Sequence, residues 1–569
     1  MPTTSASLVF DSVSLVWDDG TAALRDVSGA FSTGRTGLTG RNGSGKSTLL
    51  RIAAGDLAPT SGSVLRSGEV AYLPQRLTLD VDRPVSDLLG VSATLRALRA
   101  IESGDADARH FDTVGDDWDV EARSAAALAE AGLPPDALDR TIGSLSGGET
   151  VLTAIAGIRL GGAPITLLDE PTNNLDRDAR ARLADLVRAW RGTLVVVSHD
   201  VALLDLMDDT AELYDDTLTV FGGPYSAWRE WLEGEQDAAR QAERTAAQVV
   251  RREKRDRIEA EHKLARRAQV GHKAQIEKRV PGIVAAARKR SAQESAGRLR
   301  TEVRAKEAGA RAALDAAERR VRDDDTVRID LPDPGVAAGR RILSLGNDER
   351  TWVVQGPERV ALVGPNGIGK TTLLERLVAG AQVGHGGDVG TNSGSISPPT
   401  AGARGFPGSV DPSPGFRLST VRAELHTDRV AYLPQRVDGL DERASVLENV
   451  RAAAPAVAPA QLRNRLARFL LRGDAVDRPV ATLSGGERFR VALARMLLAD
   501  PPPQLLVLDE PTNNLDLDTI DRFVEALAAY RGALLVVSHD DAFLARIRPD
   551  LTLTLGPEGL TEGARAEGG

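Results

Sequence analysis

The chain has 569 residues, of which 42% are hydrophobic and 27% charged, and a formal net charge of −10; this excludes a single small module and a mainly disordered chain. It contains no cysteine, which excludes disulfide frameworks, thiolate zinc sites and iron–sulfur clusters. No stretch approaches the roughly 18–20 apolar residues that cross a bilayer, and the opening MPTTSASLVFDSV lacks a basic start followed by an apolar run, so a cytoplasmic protein without a membrane span is expected.

In chain order, the first half opens on a segment containing Trp17 and reaches Gly40-Arg41-Asn42-Gly43-Ser44-Gly45-Lys46-Ser47, a G-x-x-x-x-G-K-[ST] motif. A short apolar stretch precedes it and a helix-forming run, 48–53, follows. Glycines let backbone N–H groups turn inward on phosphates, the helix start adds its positive end, and Lys46 neutralises the β/γ oxygens. Ser47 offers a hydroxyl to Mg²⁺, and Thr48 opens the helix behind it. VAYLPQR follows at 70–76 and carries Gln75; LSGGE at 145–149 brings Ser146, Gly147 and Gly148 to a helix start, where N–H groups and a hydroxyl face outward as an anion site. ITLLDE at 165–170 reads as a buried parallel strand ending in Asp169 and Glu170. Because successive strand residues face opposite ways, the two carboxylates are expected to take different jobs: Asp169 holds Mg²⁺ through water and Glu170 polarises the attacking water. VVSHD at 196–200 places His199 after a β-rich run.

The whole series then recurs, with Gly364, Asn366, Gly367, Gly369, Lys370, Thr371 and Thr372 in a second phosphate loop, Gln435 in VAYLPQR at 430–436, and Ser484, Gly485 and Gly486 in LSGGE at 483–487. Asp509 and Glu510 end LLVLDE, and LDEPTNNLD and VVSHD return unchanged, with His539 again 30 positions after the strand aspartate. A repeat of this length and spacing marks a duplicated architecture.

Between the halves, 229–330 is rich in Glu, Arg, Ala and Gln and has no aromatic after Trp231, which reads as helical. The pattern weakens at Gly271 and breaks at Pro281 and Gly282, so a two-helix hairpin is expected, each arm about 35 residues and roughly 50 Å long. Residues 251–320 hold 21 Lys and Arg against 10 Asp and Glu: a concentrated basic segment on an otherwise acidic body, suited either to a polyanion or to a solvated helical face. In the second half, Lys370 to Gln435 spans 65 positions where Lys46 to Gln75 spans 29, and Gly, Pro and Ser supply 20 of the 40 residues at 381–420. This is a surface insertion with a composition that cannot bury enough apolar area to order itself.

The order of these motifs, complete twice, resembles ATP-binding-cassette proteins with both cassettes in one chain, and over nearly its whole length it resembles the ABC-F group. The FGGPYSAW segment at 221–228 is similar to that group's exit into its linker, and TNNLD stands where many members have TNHLD. The resemblance implies an α/β fold: two P-loop ATP-binding-cassette domains, 1–228 and 331–569, joined by a basic α-hairpin linker at 229–330. It implies head-to-tail pairing within a monomer, with ATP between Lys46, Glu170, Ser484 and Gly486, and a second ATP between Lys370, Glu510, Ser146 and Gly148. Gln75 and Gln435 match positions reaching Mg²⁺ and the attacking water, and His199 and His539 match the γ-phosphate switch. Trp17, 23 residues before Gly40, matches the adenine-stacking aromatic; 23 before Gly364 lies Arg341, and the nearest aromatic is Trp352, so the second half departs from the pattern.

The resemblance further implies ATP hydrolysis and a ribosomal partner, with the hairpin reaching rRNA and P-site tRNA near the peptidyl-transferase centre, as antibiotic protection or translation regulation. An exporter motor and a nonribosomal nucleic-acid ATPase are the alternatives. Without aromatics the arm is limited to phosphate and shape contacts, and Lys273, Lys278, Arg279, Arg288, Lys289 and Arg290, clustered near the bend, are the expected RNA-binding residues.

Overall fold

The computed structural model describes residues 7–75, 77, 80–173, 175–276, 282–322, 331–347, 349–383, 421–435, 439–469, 471–483, 485–513 and 515–563. Two compact units result: one made of both repeated halves, the other of residues 226–326.

The strands of the first half are β1 (Leu8–Val16), β2 (Ala22–Phe31), β3 (Gly34–Thr39), β4 (Ser61–Arg66), β5 (Val70–Leu73), β6 (Ile165–Asp169), β7 (Thr193–Val197), β8 (Asp209–Tyr214) and β9 (Thr217–Gly222). Those of the second are β10 (Arg341–Gly346), β11 (Thr351–Gln355), β12 (Arg359–Val363), β13 (Arg422–Leu425), β14 (Val430–Leu433), β15 (Leu505–Asp509), β16 (Ala533–Val537), β17 (Leu551–Gly556) and β18 (Gly559–Glu562). Each half has a six-stranded sheet, β5-β6-β7-β3-β8-β9 and β14-β15-β16-β12-β17-β18, and a three-stranded antiparallel sheet, β2-β1-β4 and β11-β10-β13. The large sheets are parallel except for their last strand.

Central strands β6, β7, β15 and β16 are buried at every position, which is why they read as unbroken apolar runs. Alternate residues feed different cores: Leu168, Leu194 and Val196 join the helical side, while Ile165, Leu167, Val195 and Val197 pack with the small sheet and the helix Lys46–Ala54. The same division recurs for Leu506, Leu508 and Val536 against Leu505, Val507 and Val537. Asp169 and Asp509, two residues on from Leu167 and Val507, are thereby carried to the face where the phosphate-loop helices lie.

The small sheets differ in reach. β1 and β2 have 9 and 10 residues, whereas β10 and β11 have 6 and 5. The second hairpin turns at Asn347, whose N–H donates to Arg350 O at 2.9 Å.

The unit at 226–326 is an antiparallel helical hairpin. Its helices run Tyr225–Ile276, 52 residues, and Gly282–Glu318, 37 residues, or about 78 and 56 Å at 1.5 Å per residue. Gly271 lies within the first helix, which tolerates a glycine at about 1 kcal/mol. Gly282, where a break is expected, opens the second helix, and Pro281 lies outside the described residues. Gln236 Oε1 accepts from Arg322 N at 2.8 Å, and the nearly buried Glu307 receives Arg257 across the hairpin at 2.6 Å and Arg311 along its own helix at 2.7 Å. In the Gly/Pro/Ser-rich stretch expected at 381–420, residues 381–383 end the helix Lys370–Val383 and 384–420 lie outside the described residues.

The second half's helical core centres on Phe523, 1% exposed, stacked on Phe543 at 5.8 Å and edge-on to Phe489 at 5.6 Å. Phe523→Ala is expected to lower stability by about 3–5 kcal/mol, read as an earlier denaturation midpoint.

Candidate active site

Each phosphate loop joins a buried strand, β3 or β12, to a helix, Lys46–Ala54 or Lys370–Val383. At Gly40 the backbone has φ 144° and an added Cβ would lie 2.5 Å from Leu213 O; at Gly364 φ is 152° and the distance to Leu555 O is 2.3 Å. Only glycine lets the loop leave its strand this close to the neighbouring backbone. Lys46 Nζ donates to Gly40 O at 2.6 Å and Arg41 O at 3.0 Å; Lys370 Nζ donates to Gly364 O at 2.6 Å and Pro365 O at 2.9 Å. Both ammonium groups are buried. Burial pushes each below the usual lysine range, opposed for Lys46 by Glu170, Asp516, Asp169 and Asp518, and for Lys370 by Glu510, Asp509 and Asp176.

The carboxylate pairs correct one expectation. Glu170 and Glu510 follow the last strand residue and adopt φ 52° and 47°, so the pleat no longer dictates their direction. Asp169 and Glu170 both act on Lys46, and Asp509 and Glu510 both act on Lys370. A left-handed glutamate costs of order 1 kcal/mol or more, and it occurs in both halves. Glu170 Oε1 lies 2.9 Å from His199 Nε2. In the second half, His539 Nε2 accepts from Lys370 Nζ at 2.9 Å and lies 3.5 Å from Glu510 Oε1. Burial, then the Lys370 charge, drives His539 down to about 3, so it stays neutral; burial also pushes Glu510 up to about 7.

Asp169 and Asp509 are buried, and burial raises both. Ser47 hydrogen-bonds Asp169, as Thr371 does Asp509, and Tyr72 Oη donates to Asp169 Oδ2 at 3.3 Å. Asp169 Oδ1 and Asp509 Oδ2 are buried without a hydrogen-bond partner. A buried carboxylate oxygen beside a hydroxyl fits a hard divalent cation. Among the described residues no group of three or more His, Cys, Asp or Glu could hold a metal, so phosphate and water oxygens would complete such a cation's shell.

The halves meet at these loops. Asp516 Oδ1 accepts from Thr519 N at 2.8 Å and caps its own helix, Leu517–Ala529, while Oδ2 accepts from Asn42 N of the first loop at 2.7 Å. Asp176 likewise caps Arg177–Arg188 through Ala179 N at 3.0 Å and accepts from Asn366 N at 3.4 Å. Gly486 faces Asn42, whose Nδ2 would be 3.7 Å from an added Cβ. Arg41 pairs with Asp518 at 3.4 Å, and Arg177 Nε donates to Asp541 at 3.1 Å. Neither aspartate was singled out from sequence, although Asp before a helix-forming run is a capping signal.

The remaining expected residues divide. Gly43, Gly45, Gly367 and Gly369 take positive φ within the loops, and Thr48 and Thr372 lie half-buried in the first helical turns. Ser146 is an N-cap: its Oγ accepts from Glu149 N at 3.3 Å, and its N–H donates to Glu149 Oε2 at 2.7 Å. That N–H is therefore committed to a capping box rather than open to an anion; Gly147 beside it and Gly485 in the second half are exposed, and Gly148 is buried. Ser484 lies outside the described residues. Gln75 and Gln435 are exposed, two residues past β5 and β14. Trp17 is 40% exposed beyond β1, whereas Trp352 is 7% exposed in a core, its Nε1 donating to Glu562 at 3.4 Å, and so offers no face to a base. Lys273 and Arg290 are exposed on the hairpin; Arg288 and Lys289 fall in its second helix, their side chains undescribed, and Lys278 and Arg279 lie outside the described residues.

Two phosphate loops, each with a strand-end Asp-Glu pair and a histidine and each meeting a capping aspartate of the other half, define a twin-cassette ATPase. The family described as ABC transporter matches residues 24–173 and 348–513. The chain is 32% identical to the tylosin resistance ATP-binding protein TlrC of Streptomyces fradiae, covering 99% of each, and 29% identical to the ATP-binding protein Uup of Caulobacter vibrioides, covering 93% of this chain and 74% of that one. Among solved structures, RNase-L Inhibitor superposes with TM-score 0.51 at 19% identity, over 96% of this chain and 87% of that one. The protein belongs to the ABC-F family of ATP-binding-cassette ATPases. Among its described residues no helix is long and apolar enough to cross a membrane.

Burial raises Asp516, but the amides of Asn42 and Thr519 outweigh it and hold it below the usual carboxylate range. Its link to the first loop is thus present above that range and lost as acid takes the pH through its lowered value. Asp516→Asn is expected to cut ATP turnover about tenfold by weakening a charge-assisted bond worth about 1.5–3 kcal/mol. Asp176→Asn, acting at 3.4 Å, should cost less in the same steady-state assay.

Proposed function

We propose that this protein is a ribosome-associated ATPase that uses ATP to pair its cassettes and acts through its basic hairpin on the peptidyl-transferase and P-site tRNA region, protecting ribosomes from an antibiotic. The observation that carries this reading is the likeness to a tylosin resistance ATP-binding protein over 99% of both chains, supported by 12 Lys and Arg against 3 Asp and Glu at 262–304. Cytoplasmic location, action as a monomer and domain boundaries near 228 and 330 belong to the same proposal.

In this reading Lys46 and Lys370 bind the β/γ-phosphates, and the backbone N–H groups of Gly43, Gly45, Gly367 and Gly369 cradle them, while the Asn42 N–H stays on Asp516. Ser47 and Asp169, and Thr371 and Asp509, hold Mg²⁺, which supplies charge neutralisation on the phosphates. Glu170 and Glu510 orient the attacking water and take its proton. His539 Nε2, kept neutral, accepts from Lys370; when Lys370 turns to a γ-phosphate, the ring is released to change its partner. Trp17 stacks on the adenine of the first site.

Glu170→Gln with Glu510→Gln should leave the ATP-closed protein on ribosomes in sucrose-gradient sedimentation; a locked form that travels free of ribosomal particles would falsify the proposal. Changing Lys273, Lys278, Arg279, Arg288, Lys289 and Arg290 together to Ala should abolish that cosedimentation while leaving ATP binding intact, and wild-type binding should fall steeply with salt.

With Glu510 pushed up to about 7, its carboxylate form is scarce below that pH and dominant above it. Turnover in a Glu170→Gln chain should therefore rise from pH 6 to pH 8 with its midpoint near 7; a flat profile would remove Glu510 as the base.

A further inference from the structure

The two halves repeat their motifs, but the helices that follow the capping aspartates do not match. After Asp176 come Arg177 and Arg180; at the corresponding positions after Asp516 stand Leu517 and Ile520. Ile520 is 4% exposed and belongs to its own core. Arg180 is nearly buried, with 19% of its side chain exposed; its Nη1 lies 2.9 Å from Asp200 Oδ2 and its Nε donates to Leu175 O at 3.2 Å. These bonds fix the guanidinium at the turn of the helix whose cap, Asp176, receives Asn366 N of the second phosphate loop. One residue from that cap, Arg177 reaches Asp541, two residues beyond His539. The first turn of this helix thus borders the second ATP site, and the Arg180 charge is felt there by Glu510, His539 and Asp540, all of the other half.

We infer that Arg180, supplied by the first cassette, is a positioning residue of the second ATP site, a fixed cation without counterpart at the first site that makes the second site's turnover depend on the cassette opposite. The physical need is visible. Asp200 and Asp540 each cap a short helix behind the switch histidines and repel one another across the junction; Arg180 is bonded to the first and its charge is felt by the second. Neutralising them lets the switch segment of the second cassette close on its site. At the first site the equivalent position is an apolar core residue, so that site relies instead on the shorter Asp516–Asn42 bond, 2.7 Å against 3.4 Å. The two sites would then differ in turnover for a reason built into one side chain.

This inference rests on the reading that the second site hydrolyses ATP, and the test separates the two. In a Glu170→Gln chain, where only the second site turns over, Arg180→Met should lower kcat about tenfold with KM changed less than about twofold, and Arg180→Lys should recover most of the loss. In a Glu510→Gln chain the same Met substitution should alter first-site turnover by less than about twofold. Equal losses in both backgrounds, or no loss in either, would overturn the role of Arg180. If the Glu170→Gln chain shows no turnover, it is the hydrolysis reading that has failed. Arg180 is then judged in a Lys46→Ala chain by ATP-driven closure of the cassettes, followed by fluorescence energy transfer between labels on the two halves: Arg180→Met should lower the closed fraction at saturating ATP at least about fivefold, and an unchanged closed fraction would overturn the inference. Unaltered thermal unfolding of the Arg180→Met protein checks that the fold is kept.

Discussion

A carboxylate has two oxygens, and the junction of the two cassettes depends on how Asp176 and Asp516 divide theirs. One oxygen caps the aspartate's own helix; the other accepts an amide from the phosphate loop of the opposite cassette. A cap of this kind is worth about 1 kcal/mol, and it fixes the side chain so that the second oxygen can reach across with no further loss of rotamer freedom. The phosphate loop is held in turn by glycines that pass close to a neighbouring strand, and the loop lysine is held by that loop's own carbonyls. A displacement at one helix start is therefore passed to the nucleotide site of the other cassette within three bonded contacts.

Sequence duplication did not produce two equal sites. The first loop meets a buried aspartate at a short distance and has an exposed tryptophan beyond a long β-hairpin; the second meets a half-exposed aspartate, lies near a shortened hairpin and has that hairpin's tryptophan, Trp352, buried in a core. The histidines diverge as well, His199 toward Glu170 and His539 toward Lys370. These differences go with positions at which the two copies carry different residues, such as Arg41 opposite Asp518 where the second loop has Pro365, and Arg177 where the second cassette has Leu517.

Much of this was legible in the sequence because the motifs are local. A P-loop needs its glycines and lysine at fixed spacing, a central parallel strand needs an unbroken apolar run, and both could be placed within a residue or two. What could not be read was what depends on the other cassette. The partners of Asp176 and Asp516 are more than a hundred residues away, and no spacing rule joins Arg180 to Glu510. One local expectation also yielded to context: Ser146 spends its N–H in a capping box because Glu149 stands three residues on. Pleat alternation failed for Glu170 because the strand had already ended at Asp169.

Glycine and asparagine settle into a left-handed backbone more readily than glutamate does, so drift toward foldability alone would empty positions 170 and 510 of their carboxylates. Both copies nonetheless carry a glutamate there, each against the grain of its own backbone. A decayed cassette in some descendant of this chain would be recognised first by a glycine or asparagine in that place.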